Sequence, residues 1–141
     1  MKIAILGYGK EGQSAEKYFQ SQNPDNTIVT FSDFTNAELE KLNLTDYDLI
    51  IRSPSVYPLG NWSSVTKYFF EHCPCPIIGV TGTKCKGTTS SIITSILREL
   101  GKTVHLVGNI GTPALDILDN IQGSDVAVYE MSSFQLWDLK Q

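Results

Sequence analysis

Residues 79–91, GVTGTKCKGTTSS, connect an apolar run to a helix-like pattern, and this strand–loop–helix order points to an α/β fold. The preceding run, PIIGVT (76–81), is short, apolar and rich in β-branched residues, as in a buried strand. A loop of glycine and small polar residues between a strand and a helix is typical of phosphate binding, because backbone N–H groups and the helix N-terminus attract anions. We therefore interpret the stretch as a candidate phosphate-binding loop.

Lysine and threonine residues in this loop are candidates for contacts to a nucleotide and a metal ion. Lys86 would reach phosphate oxygens, and Thr88 or Thr89 would offer a hydroxyl to Mg²⁺. The strict P-loop string is absent, because Val80 and Cys85 stand where that string has glycine. The residues alone leave three interpretations open: a working nucleotide site, an impaired one, or a chance run of small residues.

Apolar residues follow the loop at helical spacing. We predict a helix there that ends at Gly101, because glycine commonly stops helices. The residues expected on its apolar stripe are Ile92, Ile93, Ile96, Leu97 and Leu100. Two further helices are predicted over residues 11–21 and 62–72.

Six apolar runs divide the chain, and helix-length segments separate them, which is typical of parallel βα units with helices on both sheet faces. The runs are KIAILG (2–7), TIVTFSD (27–33), YDLIIRS (47–53), PIIGVTG (76–82), TVHLVGN (103–109) and DVAVYEM (125–131). The segment HCPCP (72–76) has two prolines, which do not fit inside a helix or a central strand. We therefore predict two domains, residues 1–74 and 75–141.

The string GYGKEG (7–12) follows the first run with the G-x-G-x-x-G spacing of a dinucleotide-binding turn. Gly7 and Gly9 would let the backbone turn and approach a ligand, and Gly12 would let the helix pack closely on the strand. Asp33 ends the second run, where an acidic residue often contacts a ribose hydroxyl. The pattern fits a nicotinamide cofactor, another nucleotide-linked substrate, or a tight turn without a ligand.

Other strand ends also carry polar candidates, and ligands of open α/β sheets bind at the carboxyl ends of strands. Ser53 could donate to a phosphate or a base, although by itself an ordinary proline-containing loop explains that segment better. Glu130 ends a buried run, where an unpaired carboxylate is costly and a metal ion would offset the cost. A glutamate that only caps a loop explains the position of Glu130 equally well.

Composition limits the remaining function classes. The 141 residues carry a formal net charge of −4 and give a pI of about 5.0, which argues against a nucleic-acid partner. We expect no membrane-spanning helix, no signal peptide and a cytoplasmic location. The chain has three cysteines, too few for a disulfide framework. Cys73 and Cys75 lie beside His72, and we favour buried thiols in a linker over a metal site, because no second ligand pair exists in the sequence.

Five strings together resemble the Mur ligase family of peptidoglycan synthesis, and in particular its D-glutamate-adding members. They are GYGKEG, SPS, VTGTKCKGTT, GNIGTPALDIL and YEMSSFQL, and their order and spacing match across essentially the whole chain. The resemblance implies a Rossmann-like N-terminal domain with a parallel sheet, followed by the start of a P-loop-type α/β ATPase domain. It also implies an acid–amino-acid ligase, in which ATP phosphorylates UDP-N-acetylmuramoyl-L-alanine and the amine of D-glutamate attacks the acyl phosphate.

The resemblance also implies a role for individual residues. The residues expected to bind the UDP-linked substrate are Gly7, Gly9, Lys10, Glu11, Gly12, Asp33, Ser53, Asn109 and Ser132. Those expected to bind ATP are Thr83, Lys84, Lys86, Gly87, Thr88 and Thr89. Thr88 and Glu130 would hold Mg²⁺, and Lys86 and Glu130 are the residues expected to serve catalysis.

Two departures from the family pattern affect these expectations. Cys85 stands where the family usually has the last glycine of its loop, and we expect a Cβ there to strain the backbone by roughly 1–3 kcal/mol and to crowd the phosphates. The family's ATPase domain continues beyond residue 141, and a further domain binds the amino acid. We therefore expect a truncated chain that is monomeric and inactive alone, with neither nucleic acid nor membrane as a partner. The alternatives are a folylpolyglutamate synthetase-like ligase, a Rossmann dehydrogenase, and a non-catalytic nucleotide-binding remnant.

Overall fold

The computed structural model describes residues 1–39, 41–57 and 59–139, and the chain divides into two compact units, Met1–Tyr68 and Phe69–Gln141. Each unit is a parallel β-sheet with helices, so the predicted Rossmann-like α/β fold class is confirmed. The division falls six residues before the predicted boundary between residues 74 and 75. That boundary stays a prediction.

The first unit has a four-stranded parallel sheet in the order β2-β1-β3-β4. Its elements are β1 (Lys2–Leu6), α1 (Lys10–Gln22), β2 (Thr27–Phe31), α2 (Asn36–Leu39), β3 (Leu49–Arg52), β4 (Ser63–Ser64) and α3 (Val65–His72), the last of which runs into the second unit. Central strand β1 is buried from Ile3 to Leu6, as expected for a strand covered on both faces. On one face, Leu6 packs with Leu39 and Val56.

Two of the predicted helices lie in this part of the chain. The helix predicted over 11–21 is confirmed as α1. The helix predicted over 62–72 begins three residues later, at Val65, because Ser63 and Ser64 pair with β3 as a short strand. Ser64 then ends the strand and caps the helix, since its Oγ accepts a hydrogen bond from the backbone N–H of Lys67 at 3.1 Å.

The second unit has a three-stranded parallel sheet in the order β5-β7-β6. Its elements are β5 (Ile77–Val80), α4 (Lys86–Glu99), β6 (Val104–Gly108), α5 (Ala114–Ile117), β7 (Val126–Glu130), and two 3₁₀ turns, Leu118–Asn120 and Gln135–Leu139. All six predicted runs contain a strand. Val80, Val104 and Val128 form a core cluster against which α4 packs.

The predicted apolar stripe of α4 is correct for only part of its residues. Ile93 and Leu97 pack on the core cluster, and Ser90 and Thr94 are buried beside them. Ser90 can be buried because its hydroxyl donates to the carbonyl of Lys86 at 2.8 Å. The prediction is wrong for Ile92, Ile96 and Leu100, which are more than half exposed. The sheet therefore selects a face of α4 that includes small polar residues, which allow a close approach.

Strand ends are level in both sheets. Leu6 is in register with Phe31 and Arg52, and Glu130 is in register with Val80 and Gly108. The loops that carry the candidate residues therefore leave each sheet along one edge, its carboxyl edge. None of the helices in the described part of the chain combines the length and apolarity that a membrane crossing requires.

Candidate functional sites

In the first unit, the loop after β1 and the loop after β3 meet at the carboxyl edge of the sheet. The backbone N–H of Gly7 donates to Phe31 O at 2.8 Å, and that of Ser53 donates to Leu6 O at 2.7 Å. Gly7 has φ +93°, and a Cβ there would lie 2.6 Å from the Cβ of Ser53. The structure thus brings Gly7 and Ser53 together, with exposed Asp33 two residues beyond the end of β2.

The glycines of GYGKEG serve different purposes. A Cβ at Gly12 would collide with the carbonyl oxygen of Gly7, so the fold itself requires glycine at that position. A Cβ at Gly9 would meet no atom within 4 Å. A tight turn therefore accounts for Gly7 and Gly12 but not for Gly9. Gly9 leaves open space at the N-cap of α1, where an anionic ligand would meet free backbone N–H groups.

Side chains around this loop fix its attachment to α1. The hydroxyl of Tyr8 donates to the carboxylate of Glu16, and this hydrogen bond raises the pKa of Tyr8 above its usual value. Lys10 is the exposed first residue of α1, and Glu11, the next residue, is half-buried. The Tyr8–Glu16 contact escaped the sequence analysis, because an i, i+8 pair across a loop has no local signature.

In the second unit, Cys85 is the residue with the most unusual backbone. It has φ +60° and ψ +7°, in the left-handed region, and it is the one non-glycine residue with positive φ among residues 1–39, 41–57 and 59–139. It is also the N-cap of α4, and its side chain makes no capping hydrogen bond. The expectation that this position uses a glycine-like conformation is confirmed, while the size of the strain stays a prediction.

Lys86 and Glu130 meet at the carboxyl edge of the second sheet. Lys86 is the first residue of α4 and Glu130 is the last residue of β7, and Lys86 Nζ lies 3.8 Å from Glu130 Oε1. Glu130 is only 2% exposed, and within the described part of the chain its Oε2 has no hydrogen-bond partner. A buried carboxylate oxygen without a partner is costly, and a bound cation would satisfy it. The residue set therefore fits a divalent metal ion next to a phosphate group.

The other residues predicted to bind ATP lie in the loop before α4 and in the first turn of that helix. Thr83 and Lys84 are exposed in the loop, and Gly87 is half-buried behind Lys86. Thr88 and Thr89 are exposed in the first turn of α4, and the backbone N–H of Thr89 donates to Cys85 O at 2.9 Å. The predicted set thus lies within one strand–loop–helix segment, whereas its roles stay predictions.

Gln135 is a site residue that the sequence analysis missed. It is completely buried, and its Oε1 accepts hydrogen bonds from Asn109 Nδ2 at 3.1 Å and from the backbone N–H of Ser132 at 2.7 Å. The backbone N–H of Asn109 also donates to Glu130 O at 3.0 Å. Gln135 therefore links the loops after β6 and β7, and holds both predicted substrate residues beside Glu130. A glutamine inside the string SSFQL was the available signal.

Cys73 and Cys75 form a pair of close thiols. Their Sγ atoms lie 3.5 Å apart, Cys75 is buried, and Cys73 is half-buried. Burial, together with the neighbouring thiol, raises the pKa of Cys75 to about 11. The described residues hold no group of three or more histidine, cysteine, aspartate or glutamate side chains placed to bind a metal ion.

Comparison with known proteins finds relatives that match nearly the whole chain. No protein-family model matches the chain. The UDP-N-acetylmuramoylalanine–D-glutamate ligase of Ruminiclostridium cellulolyticum is 31% identical over 167 aligned positions, which cover 99% of this chain and 36% of the relative. The corresponding ligase of Acetivibrio thermocellus is 37% identical over 163 positions, which cover 96% of this chain and 35% of the relative.

A third relative, from Hydrogenovibrio crunogenus, carries the same name and is 32% identical, with 94% of this chain and 35% of the relative covered. Over nearly its whole length the chain is similar to these UDP-N-acetylmuramoylalanine–D-glutamate ligases, as the resemblance to the Mur ligase family predicted. The chain spans about a third of the length of the curated relatives it matches.

Proposed function

We propose that this chain provides the two nucleotide sites of a cytoplasmic ligase that joins D-glutamate to UDP-N-acetylmuramoyl-L-alanine with ATP. The first unit would bind the UDP part of the substrate, and the second unit would bind ATP. The names of the relatives support the substrates, and the buried Glu130 beside Lys86 is the observation that carries the ATP site.

The proposed ATP site rests on charge. Lys86 supplies a cation at the start of α4, where the helix N-terminus adds partial positive charge, so phosphate oxygens would be attracted to both. Glu130 and the hydroxyl of Thr88 would hold Mg²⁺, and the metal ion would neutralise charge on the phosphate oxygens during transfer. Gln135 would keep Asn109 and the segment after Glu130 in place while the phosphate moves to the substrate carboxylate.

The proposed chemistry depends on positioning. Transfer of a phosphoryl group to the carboxylate of UDP-N-acetylmuramoyl-L-alanine gives an acyl phosphate, which the amine of D-glutamate attacks with release of phosphate. In such reactions a protein contributes orientation and charge neutralisation rather than covalent participation. Lys86 is the group in this chain suited to stabilise the negative charge that develops on the transferred phosphoryl group.

The proposed UDP site rests on Gly9. Its open space at the N-terminus of α1 lies in the loop that also holds Gly7 against Ser53. A diphosphate would approach the backbone there without a clash, and Asp33 at the next strand end would accept a hydrogen bond from a ribose hydroxyl. A nicotinamide cofactor is the competing ligand for such a loop.

Calorimetry with Mg·ATP tests the ATP site directly. We expect the parent chain to bind Mg·ATP, and the Glu130→Gln variant to lose at least about 10-fold in affinity, because the amide keeps the size but not the charge that holds the metal. Asp116→Asn, a change in the same unit outside the proposed site, is the matched control and should bind as the parent does. Equal affinities for the parent and the Glu130 variant would contradict the proposal.

Ligation is the second part of the test. With UDP-N-acetylmuramoyl-L-alanine, D-glutamate and Mg·ATP, we expect the 141-residue chain alone to release no phosphate above the blank. This expectation rests on the proposal that the remaining two thirds of the relatives' length take part in the reaction, since this chain spans only about a third of it. Sustained turnover would show that residues 1–141 suffice.

A further inference from the structure

The thiol of Cys85 is exposed in the candidate phosphate loop of the second unit, where a modification would interfere with ligand binding. Cys85 lies at the N-cap of the 14-residue helix α4, and its side chain makes no capping hydrogen bond. The next residue, Lys86, is 3.8 Å from Glu130, a carboxylate that is 2% exposed. Glu130 Oε2 has no hydrogen-bond partner within the described part of the chain, and a bound cation would satisfy it, so the position next to Lys86 calls for a ligand.

The charges around Cys85 select the reagents that can reach it. Lys84 and Lys86 flank it in sequence, and the start of α4 adds partial positive charge from free backbone N–H groups. Such a surface attracts anionic molecules and repels cationic ones, and the effect weakens as salt screens it.

The other two thiols differ from Cys85 in access. Cys75 is buried and has its pKa raised to about 11, and Cys73 is half-buried in contact with it. A dissolved reagent that needs an accessible thiol should therefore react at Cys85 first.

We propose that Cys85 is a reversible modification site for anionic low-molecular-weight disulfides, and that the mixed disulfide blocks the phosphate loop. Cys85 Sγ attacks one sulfur of the disulfide, an S–S bond to Cys85 forms, and the original S–S bond breaks. The departing thiolate carries the electron pair of that bond and takes the proton that Cys85 gives up. A free thiol in excess reverses the exchange by the same route.

The block follows from where the adduct would lie. A negatively charged group attached to Cys85 would sit next to Lys84 and Lys86, the cations that we assign to phosphate, so adduct and nucleotide compete for the same charges. This consequence rests on the proposed function of the loop, whereas the selectivity for Cys85 and for anionic reagents does not.

Peptide mass mapping tests the selectivity. The parent chain is treated with equal concentrations of oxidised glutathione, hydroxyethyl disulfide and cystamine, which are anionic, neutral and cationic. We expect adducts at Cys85 before Cys73 or Cys75, and at low salt a rate at least about 10-fold higher for the anionic than for the cationic reagent. Lys84→Gln should reduce that ratio several-fold. Preferential modification of Cys73 or Cys75, or equal rates for the three reagents, would overturn the proposal.

Nucleotide protection tests the block. We expect Mg·ATP to slow modification of Cys85 at least several-fold, and the glutathione adduct to lose ATP binding that a reductant restores. A Cys85→Ser variant, which keeps the Cβ, should bind ATP with or without oxidised glutathione. If the unmodified chain binds ATP but the adduct binds it equally well, the proposal is overturned and the proposed function stands. If no unmodified form binds ATP, the proposed function fails, while the selectivity test still decides the modification site.

Discussion

The two glycine-rich loops of this chain have the same order of strand, loop and helix, but they place a side chain differently. In the first loop, positive φ is taken by glycine, at Gly7, and the residue at the N-cap, Gly9, has no side chain at all. In the second loop, the N-cap is Cys85, at φ +60°. The comparison indicates that the first loop leaves its backbone open to close approach by a ligand. In the second loop a Cβ occupies the N-cap position, and the next residue, Lys86, lies 3.8 Å from Glu130.

Replacement of glycines in the first loop should give the largest effects on stability. It also distinguishes the glycine that the fold requires from the glycine that a ligand requires. Gly12→Ala should destabilise the first unit by several kcal/mol, because the new Cβ collides with the carbonyl oxygen of Gly7. Gly9→Ala is the matched change, and it should fold with a stability within about 1 kcal/mol of the parent, since its Cβ meets nothing within 4 Å.

Urea unfolding measures the stabilities, and titration with UDP measures the ligand effect. We expect Gly9→Ala to weaken UDP binding at least several-fold although the protein stays folded. If Gly9→Ala binds UDP as tightly as the parent, then the first loop is a turn whose glycines serve the fold alone.

Removal of the Gln135 amide should have the next largest effect. Gln135→Leu keeps the approximate size, but it leaves the backbone N–H of Ser132 without its partner and frees Asn109. A buried donor without a partner costs about 1–3 kcal/mol, so the free energy of unfolding should fall by that amount. Gln122→Leu, on the exposed surface of the same unit, is the control and should change it by less than about 0.5 kcal/mol. Two equal values would show that Gln135 does not hold the two loops.

Substitution of Cys85 brings the second loop closer to the first. Cys85→Gly should raise the free energy of unfolding by about 1 kcal/mol, because relief of the left-handed strain exceeds the entropy that glycine adds to the unfolded chain. It should also tighten Mg·ATP binding several-fold. Cys85→Ala keeps the Cβ and removes the thiol, so we expect both quantities to stay close to those of the parent. If Cys85→Gly matches the parent in both the free energy of unfolding and the affinity for Mg·ATP, position 85 does not need glycine.

We expect the smallest effect at the amino edge of the second sheet, the edge opposite the loop that follows β5. Asp125 accepts hydrogen bonds from the backbone N–H of Gln122 and from His105, each at 2.9 Å, and these lower the pKa of Asp125, the backbone bond most. A carboxylate with a depressed folded-state pKa stabilises the fold above its unfolded pKa, and the stabilisation is lost as the pH falls through the folded value.

The Asp125→Asn variant should therefore be less stable than the parent from pH 7 to about 5, and the difference should shrink below about pH 4. Unfolding by urea at a series of pH values measures it. A difference that stays the same down to pH 2 would mean that the charge of Asp125 contributes nothing.

Sequence patterns were sufficient to predict most of the elements but not their contacts. Apolar runs predicted six of the strands because most positions in these strands are buried or half-buried. Strand β4 was missed, because two serines carry no apolar signal. The outward face of α4 was assigned wrongly, because the burial of Ser90 and Thr94 depends on how closely the helix approaches the sheet.

For the candidate sites, local spacing predicted the loops, and the resemblance predicted which residues would serve them. Neither showed that a Cβ at Gly9 would meet no atom within 4 Å, or that Gln135 joins two loops through a contact 26 residues away. Both facts depend on distances between segments that are remote in sequence. The left-handed backbone of Cys85, in contrast, was predictable, because the family that the chain resembles usually has a glycine there, and glycine adopts positive φ readily.

Amide chemical shifts of the labelled chain test the central claim, that each unit has its own nucleotide site. UDP, Mg·ATP and NAD are titrated separately, and the shifts are followed residue by residue. We predict that UDP shifts Gly7, Gly9 and Gly12 while Mg·ATP shifts residues 82–89, and that neither nucleotide disturbs the other loop. NAD should bind the first loop more weakly than UDP. Shifts from both nucleotides at a single loop, or tighter binding of NAD than of UDP, would contradict the account.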